Sequence, residues 1–184
     1  MTNLFFVRHA HSVYTPDELE RPLSDKGLLD AKRVAEFLKS KNIEVAISSP
    51  YKRAIQTIKG VADHFHLKIQ IEPGLRERKL SKEPVSDFQT AIRKVWADPE
   101  FCFEGGESNM VAQKRGIAAI LKILRTYEGK NIVLGTHGNL MVLIMNYFDP
   151  QYDFAFWKSL KMPDIYQLTF SGKSLAAVER IWIS

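Results

Sequence analysis

Leu4-Phe5-Phe6-Val7-Arg8-His9-Ala10-His11-Ser12 is the stretch whose reading decides the fold. Four consecutive apolar residues run straight into arginine and histidine. A short, uninterrupted apolar run reads as a strand buried on both faces, as in the middle of a parallel sheet. Polar groups at the carboxyl end of such a strand stand where open α/β sheets hold their ligands. Arg8 offers a planar fork of donors suited to phosphate or carboxylate. His9 has the chemistry of a nucleophile, a base or a metal ligand. Taken alone, the segment reads equally well as a strand end with two solvated polar side chains.

Outward from this strand, Val13 to Pro22 reads as a loop, with Pro16 and Pro22 among charged residues. Ser24 is an N-cap for a helix whose apolar positions Leu28, Ala31, Val34, Ala35 and Leu38 recur at helical spacing. Ile43 to Ile47 is a second strand, and Ser48-Ser49-Pro50 starts a helix with Ser49 as cap and Pro50 at its first position. Tyr51, Lys52 and Arg53 then open a helix that runs to about His64. Leu67 to Ile71 is a third strand, broken by Pro73-Gly74 and followed by Leu75-Arg76-Glu77-Arg78. Phe88, Ile92, Val95 and Trp96 mark another helix, and Glu107 and Ser108 open a long one through Leu124. Asn131 to Gly135 is a fourth strand with Thr136-His137-Gly138 at its end, and Leu140 to Phe148 a buried helix. Two strand-like runs, Ile165 to Phe170 and Leu175 to Ile183, are joined by Ser171-Gly172-Lys173, which has hairpin chemistry. The expectation is one α/β domain over residues 1–184, a three-layer α/β/α sandwich with a mainly parallel central sheet and a C-terminal β-hairpin.

Composition narrows the classes. With 184 residues, 45% hydrophobic and 26% charged, the chain has the balance of a soluble globular domain. No apolar run approaches the roughly 20 residues that cross a bilayer. Arg8 and His9 interrupt the only apolar run near the N-terminus, so no leader is expected. The single cysteine, Cys102, cannot form an internal disulfide, and a cytoplasmic protein fits these features. The net charge of +5 suits an anionic partner. The basic residues are scattered among acids and no nucleic-acid motif is visible, which speaks against nucleic acid or membrane; a small phosphorylated molecule stays open, and solubility is the usual reason for such a balance.

Strand ends supply Arg8, His9, Arg53 and His137, and a loop supplies Glu77. The carboxyl ends of parallel strands share one edge, so these groups are expected to converge. Two arginines and two histidines make sense together around a dianion such as a phosphoryl group. Here the sequence resembles the histidine phosphatase superfamily, which includes the cofactor-dependent phosphoglycerate mutases. Arg8-His9 resembles its signature, and Leu23-Ser24-Asp25-Lys26-Gly27 its first helix start. Ser48 to Ala54 is similar to the segment with its second arginine, Leu75-Arg76-Glu77 to its acid segment, Gly105-Gly106-Glu107-Ser108 to its glycine-rich helix start, and Thr136-His137-Gly138 to its second histidine.

The resemblance implies that neutral His9 attacks phosphorus and forms a phosphohistidine. It implies that Arg8, Arg53 and His137 hold the phosphoryl oxygens, with Ser12 and Gly138 as further substrate-binding positions, and that Glu77 protonates the leaving alkoxide. It implies a phosphomonoesterase that needs no metal or other cofactor, a monomer or homodimer. Alternatives within reach of the same residues are mutase-type phosphoryl transfer and a non-catalytic phosphoryl-binding module. His9-x-His11 on one face of a strand is also a plausible pair of metal ligands, although no third spaced histidine accompanies it.

Three departures from the family pattern bear on this. Ala10 stands where glycine is usual, and is strained if that position needs positive φ. His11 stands where an acid is frequent and is expected to face substrate or solvent. The stretch from Arg78 to Pro84 lacks the usual glycine and tryptophan, which leaves Glu83 as a second candidate for the acid. Tyr14, Phe88, Trp96 and Trp157 are candidates to line an entrance.

Overall fold

Side chains of β1 (Thr2–Arg8) alternate strictly between two cores: Leu4 and Phe6 enter one, Phe5 and Val7 the other. This period of two is what a strand covered on both faces requires. The computed structural model describes residues 1–183. In chain order the elements are β1, α1 (Asp25–Leu38), β2 (Val45–Ser48), α2 (Lys52–His64), β3 (Ile69–Ile71), α3 (Phe88–Ala97) and α4 (Asn109–Thr126). They continue with β4 (Asn131–Thr136), α5 (Gly138–Phe148), α6 (Phe154–Ser159), β5 (Asp164–Ser171) and β6 (Ser174–Arg180).

The six strands form one sheet in the order β3-β2-β4-β1-β5-β6. β1 pairs parallel with β4 from Asn3 opposite Asn131 to Arg8 opposite Thr136, and antiparallel with β5. β2 pairs parallel with both β3 and β4, and β5 with β6 make the terminal antiparallel hairpin. The expected architecture is therefore present. Helices α1 and α2 cover one face through Val34, Leu38, Ile58 and Val61. Helices α4 and α5 cover the other through Ile117, Ile120, Leu140 and Ile144. Phe6 is fully buried, and truncating it to alanine would cost about 3–5 kcal/mol. No helix among the described residues is long and apolar enough to cross a membrane.

Local signals place most boundaries. Ser24 caps α1 by accepting from the Gly27 amide at 3.1 Å, as expected. The expected cap of α2 is displaced: Tyr51, not Ser49, holds that position, and no side chain caps the helix. The Ser49 hydroxyl accepts from the Tyr51 amide, just ahead of the helix, and also meets a distant histidine described below. β2 starts at Val45 and β3 at Ile69, both two residues later than expected. α6 lies between Phe148 and Ile165, where no element was expected; Asp153 caps it by accepting from the Phe156 amide.

Candidate active site

Parallel pairing brings the carboxyl ends of β1, β2 and β4 to one sheet edge, where each strand delivers its next residues. The His9 amide donates to the Thr136 carbonyl at 3.0 Å, so His9 and His137 leave neighbouring strands side by side. Their ring centroids are 5.2 Å apart at 61°. The His9 Nδ1 is 2.7 Å from its neighbour's carbonyl, Ala10 O, which accepts its proton. Nε2 then keeps the lone pair. Burial lowers the His9 imidazole to about 3, with Arg53, Arg8 and Arg21 adding to the effect against the Ala10 bond. The ring is neutral at pH 7.

His137 is fully buried, and burial, then His9, Arg53, Arg115 and Arg8, hold it well below the usual histidine range. Its Nε2 lies 2.8 Å from Ser49 Oγ. That hydroxyl accepts from the Tyr51 amide at 3.2 Å. Its own proton has no other acceptor among the described residues, so it goes to Nε2. The imidazole proton is then on Nδ1.

Arg53 stands in the first turn of α2, where a helix dipole disfavours a cation. Its Nη1 donates to the Glu18 carbonyl at 2.9 Å and its Nη2 to the Glu18 carboxylate at 3.0 Å. Its guanidinium lies 4.9 Å over the Tyr51 ring. Arg8 donates through Nη1 to the Lys161 carbonyl at 3.0 Å. Burial pulls both guanidiniums below their usual range, opposed by Glu77 at Arg8 and chiefly by Glu18 at Arg53. Arg8 Nε, Arg53 Nε and His137 Nδ1 are all buried without a hydrogen-bond partner, as are Arg21 Nε, Arg78 Nε and Trp157 Nε1. Orphaned buried donors are costly, and several around one imidazole fit an anion that completes them.

Glu77 is held at the start of α5. Its Oε1 accepts from the Arg78 and Leu140 amides at 2.8 and 3.0 Å, and its Oε2 from the Asn139 amide at 3.1 Å. A carboxylate suits the positive end of a helix. One lone pair of Oε2 stays available for a proton. Gly138, the first residue of α5, lies against Arg8: a methyl built on it would be 2.9 Å from Nε and 3.0 Å from Cζ.

The structure thus brings Arg8, His9, Arg53, Glu77, His137 and Gly138 to one edge. Ser12 joins Leu23 in an isolated backbone bridge, and no hydrogen bond links its side chain to this group among the described residues. Glu83 is exposed and lines a separate hollow with Ser81, Lys82, Phe103 and Glu104. The pairing of His9 with His11 is corrected: His9 is buried, while His11 is exposed and contacts Ser24 Oγ at 2.8 Å. Ala10 is unstrained, since the non-glycine residues at positive φ are Asn42 and His66. Its methyl packs with Leu23 and Ala31, and its amide donates to Thr57 Oγ1 at 3.0 Å.

Sequence reasoning missed Ser49, Glu18 and Arg21. Arg21 bonds to Glu18, lies 4.9 Å over Tyr14, and contributes its charge at His9. A Glu–Arg pair three residues apart in a loop was the available signal. Ser49 offered none, because its partner is 88 positions away. Of the entrance candidates, Trp96 reaches the start of α5: its indole N–H donates to Asn139 Oδ1 at 3.1 Å. Tyr14 and Phe88 are exposed.

Several known proteins are similar to this chain. Phosphoserine phosphatase 1 of Hydrogenobacter thermophilus is 27% identical over 150 residues, covering 74% of this chain and 71% of that one. A protein named Probable phosphoglycerate mutase GpmB, from Yersinia enterocolitica, is 30% identical over 152 residues, covering 75% and 70%. The solved structure of a mycobacterial glucosyl-3-phosphoglycerate phosphatase with VO3 has the same fold, with a TM-score of 0.81 at 20% identity over 97% of each chain. The family model of the histidine phosphatase superfamily (branch 1) matches residues 4–179, and the chain belongs to that superfamily.

Proposed function

We propose that the protein is a metal-independent phosphomonoester hydrolase working through a phosphohistidine on His9. The observation that carries this reading is the set of unpartnered buried donors, Arg8 Nε, Arg53 Nε and His137 Nδ1, around a neutral imidazole. In the first step His9 Nε2 attacks phosphorus and the P–O bond to the leaving group breaks. Glu77, protonated on Oε2, gives its proton to the departing alkoxide. In the second step water attacks phosphorus, its proton passes to the Glu77 carboxylate, and the N–P bond breaks to release phosphate. Charge on the equatorial oxygens is offset throughout by Arg8, Arg53 and His137.

Hydrolysis is preferred to mutase-type transfer because retaining a phosphorylated intermediate takes extra chain over the site. The facing segments, 13–22 and 76–87, are short. The test is a panel of phosphomonoesters, assayed with chelator present, for wild type and His9→Ala. Wild type is expected to release phosphate and to trap label from a 32P-labelled ester on histidine; His9→Ala is expected to do neither. Isomerised phosphoglycerate without free phosphate would replace the hydrolase by a mutase. Turnover surviving in His9→Ala would remove the covalent step.

A further inference from the structure

Between Leu75 and the start of α3 the chain forms no helix or strand, yet it carries Glu77. Much of the holding is done by one side chain from elsewhere. Arg115, in the second turn of α4, donates through Nη1 to the carbonyls of Gly74 at 2.9 Å and Arg76 at 2.8 Å. Its Nη2 donates to the Glu77 carbonyl at 3.2 Å. Glu107 grips the same guanidinium: Nε to Oε2 is 2.8 Å and Nη2 to Oε1 is 2.7 Å. Burial pushes the Glu107 carboxyl up, but the Arg115 bonds and charge outweigh it and hold the group below its usual range. The Glu107 amide in turn donates to the Lys79 carbonyl at 2.8 Å.

All three guanidinium nitrogens are thereby committed to the loop or to Glu107. The arrangement receives backbone, not ligand. On its other side the loop is fastened by the Glu77 carboxylate to the α5 amides of Asn139 and Leu140. α4 and α5 are themselves in close contact: a methyl on Gly116, next to Arg115, would lie 2.9 Å from Ile144 Cγ1. Residues 74–77 are therefore suspended between two packed helices; Gly74 packs on Ala119 of the first, and Arg115 supplies the hydrogen bonds to it.

We infer that Arg115, braced by Glu107, is a positioning residue that sets the reach of Glu77 toward the leaving-group oxygen. The inference rests on the proposed role of Glu77 as proton donor. A general acid works only within hydrogen-bond reach of its target, and a small displacement of a catalytic group is costly. The cost falls on substrates that need the proton. An alkoxide departs poorly without one, whereas p-nitrophenolate leaves unaided.

The experiment compares kcat/KM for glycerol 2-phosphate and for p-nitrophenyl phosphate in wild type, Arg115→Lys, Arg115→Ala and Glu77→Gln, with chelator present. This ratio covers steps up to departure of the leaving group, so breakdown of the phosphoenzyme does not enter. Lysine keeps the positive charge near His137 but cannot span three carbonyls and a carboxylate. Arg115→Lys is expected to lose about tenfold on the alkyl ester and less than about twofold on the aryl ester. Arg115→Ala is expected to show the same selectivity more strongly; should it fail to fold, the lysine variant carries the comparison. Equal losses on both esters, or none on either, would overturn the inference. Glu77→Gln separates the two claims. If it is selective and Arg115→Lys is not, Arg115 has no positioning role while the acid stands. If Glu77→Gln itself is unselective, the proton donor has been misassigned and the proposed mechanism fails at that step.

Discussion

His137 and Ser49, 88 positions apart, meet at 2.8 Å between Nε2 and Oγ. This contact turns the buried imidazole so that Nδ1 is the proton-bearing nitrogen. Ser49→Ala removes it and leaves Nε2 without a partner in a dry environment. The expected result is a loss of about tenfold in kcat/KM, smaller than deletion of a whole anion-stabilising donor. Nitrogen NMR of the labelled imidazole should show the tautomer mixed in the variant and single in wild type.

Gly138→Ala puts a methyl within 2.9 Å of Arg8 Nε, against a guanidinium that the Lys161 carbonyl already restrains. Gly138 is not among the glycines at positive φ, so α5 tolerates the change. Phosphate and vanadate should inhibit the variant about tenfold more weakly as Arg8 is pushed aside, with circular dichroism unchanged. Unaltered inhibition would mean that Arg8 does not contact the anion.

Neutral His9 has a signature in stability. The group sits near 3 in the folded protein and near 6.5 when unfolded. Its contribution is complete above about 6.5. As pH falls from there toward 3, the unfolded chain takes up a proton that the folded one refuses. Stability then drops by up to about 1.4 kcal/mol per pH unit from this group. Urea unfolding at pH 7, 5.5 and 4.5 should show a steeper decline in wild type than in His9→Ala; equal slopes would mean that His9 takes up its proton as readily folded as unfolded.

Asp164 is fully buried and supports Arg8 at one remove. It accepts from the Lys161 and Ile165 amides at 2.8 and 3.0 Å and from Arg180 Nε at 2.9 Å. The Lys161 carbonyl is the acceptor for Arg8. Asp164→Ala strands two amides while Arg180 escapes to solvent. It should cost about 2–3 kcal/mol in urea unfolding and raise KM by loosening Arg8.

Much of this architecture was legible because one physical rule wrote it. Apolar runs at Leu4–Val7 and Ile132–Leu134, separated by helices of regular spacing, allow little besides a doubly covered parallel sheet. That sheet gathers strand ends, so Arg8, His9, Arg53 and His137 were expected in one place. Glu77 was readable only by resemblance, since much of what fixes it, the amino end of α5 and Arg115, is far away in sequence. Ser49 was misread for the same reason. A serine before a proline has the local chemistry of a cap, and nothing near it in sequence signals its contact with His137. α6 was missed because Phe154-Ala155-Phe156-Trp157 is too short and too aromatic to show helical spacing.

The order of strands also has a consequence in time. β1 touches neither β2 nor β3; both its neighbours, β4 and β5, come from residues 131–171. On the ribosome, the strand that ends in Arg8 therefore waits unpaired until residues 131–171 have emerged. Closing so long a loop is slow, and the exposed Leu4–Val7 edge is a natural target for chaperones meanwhile.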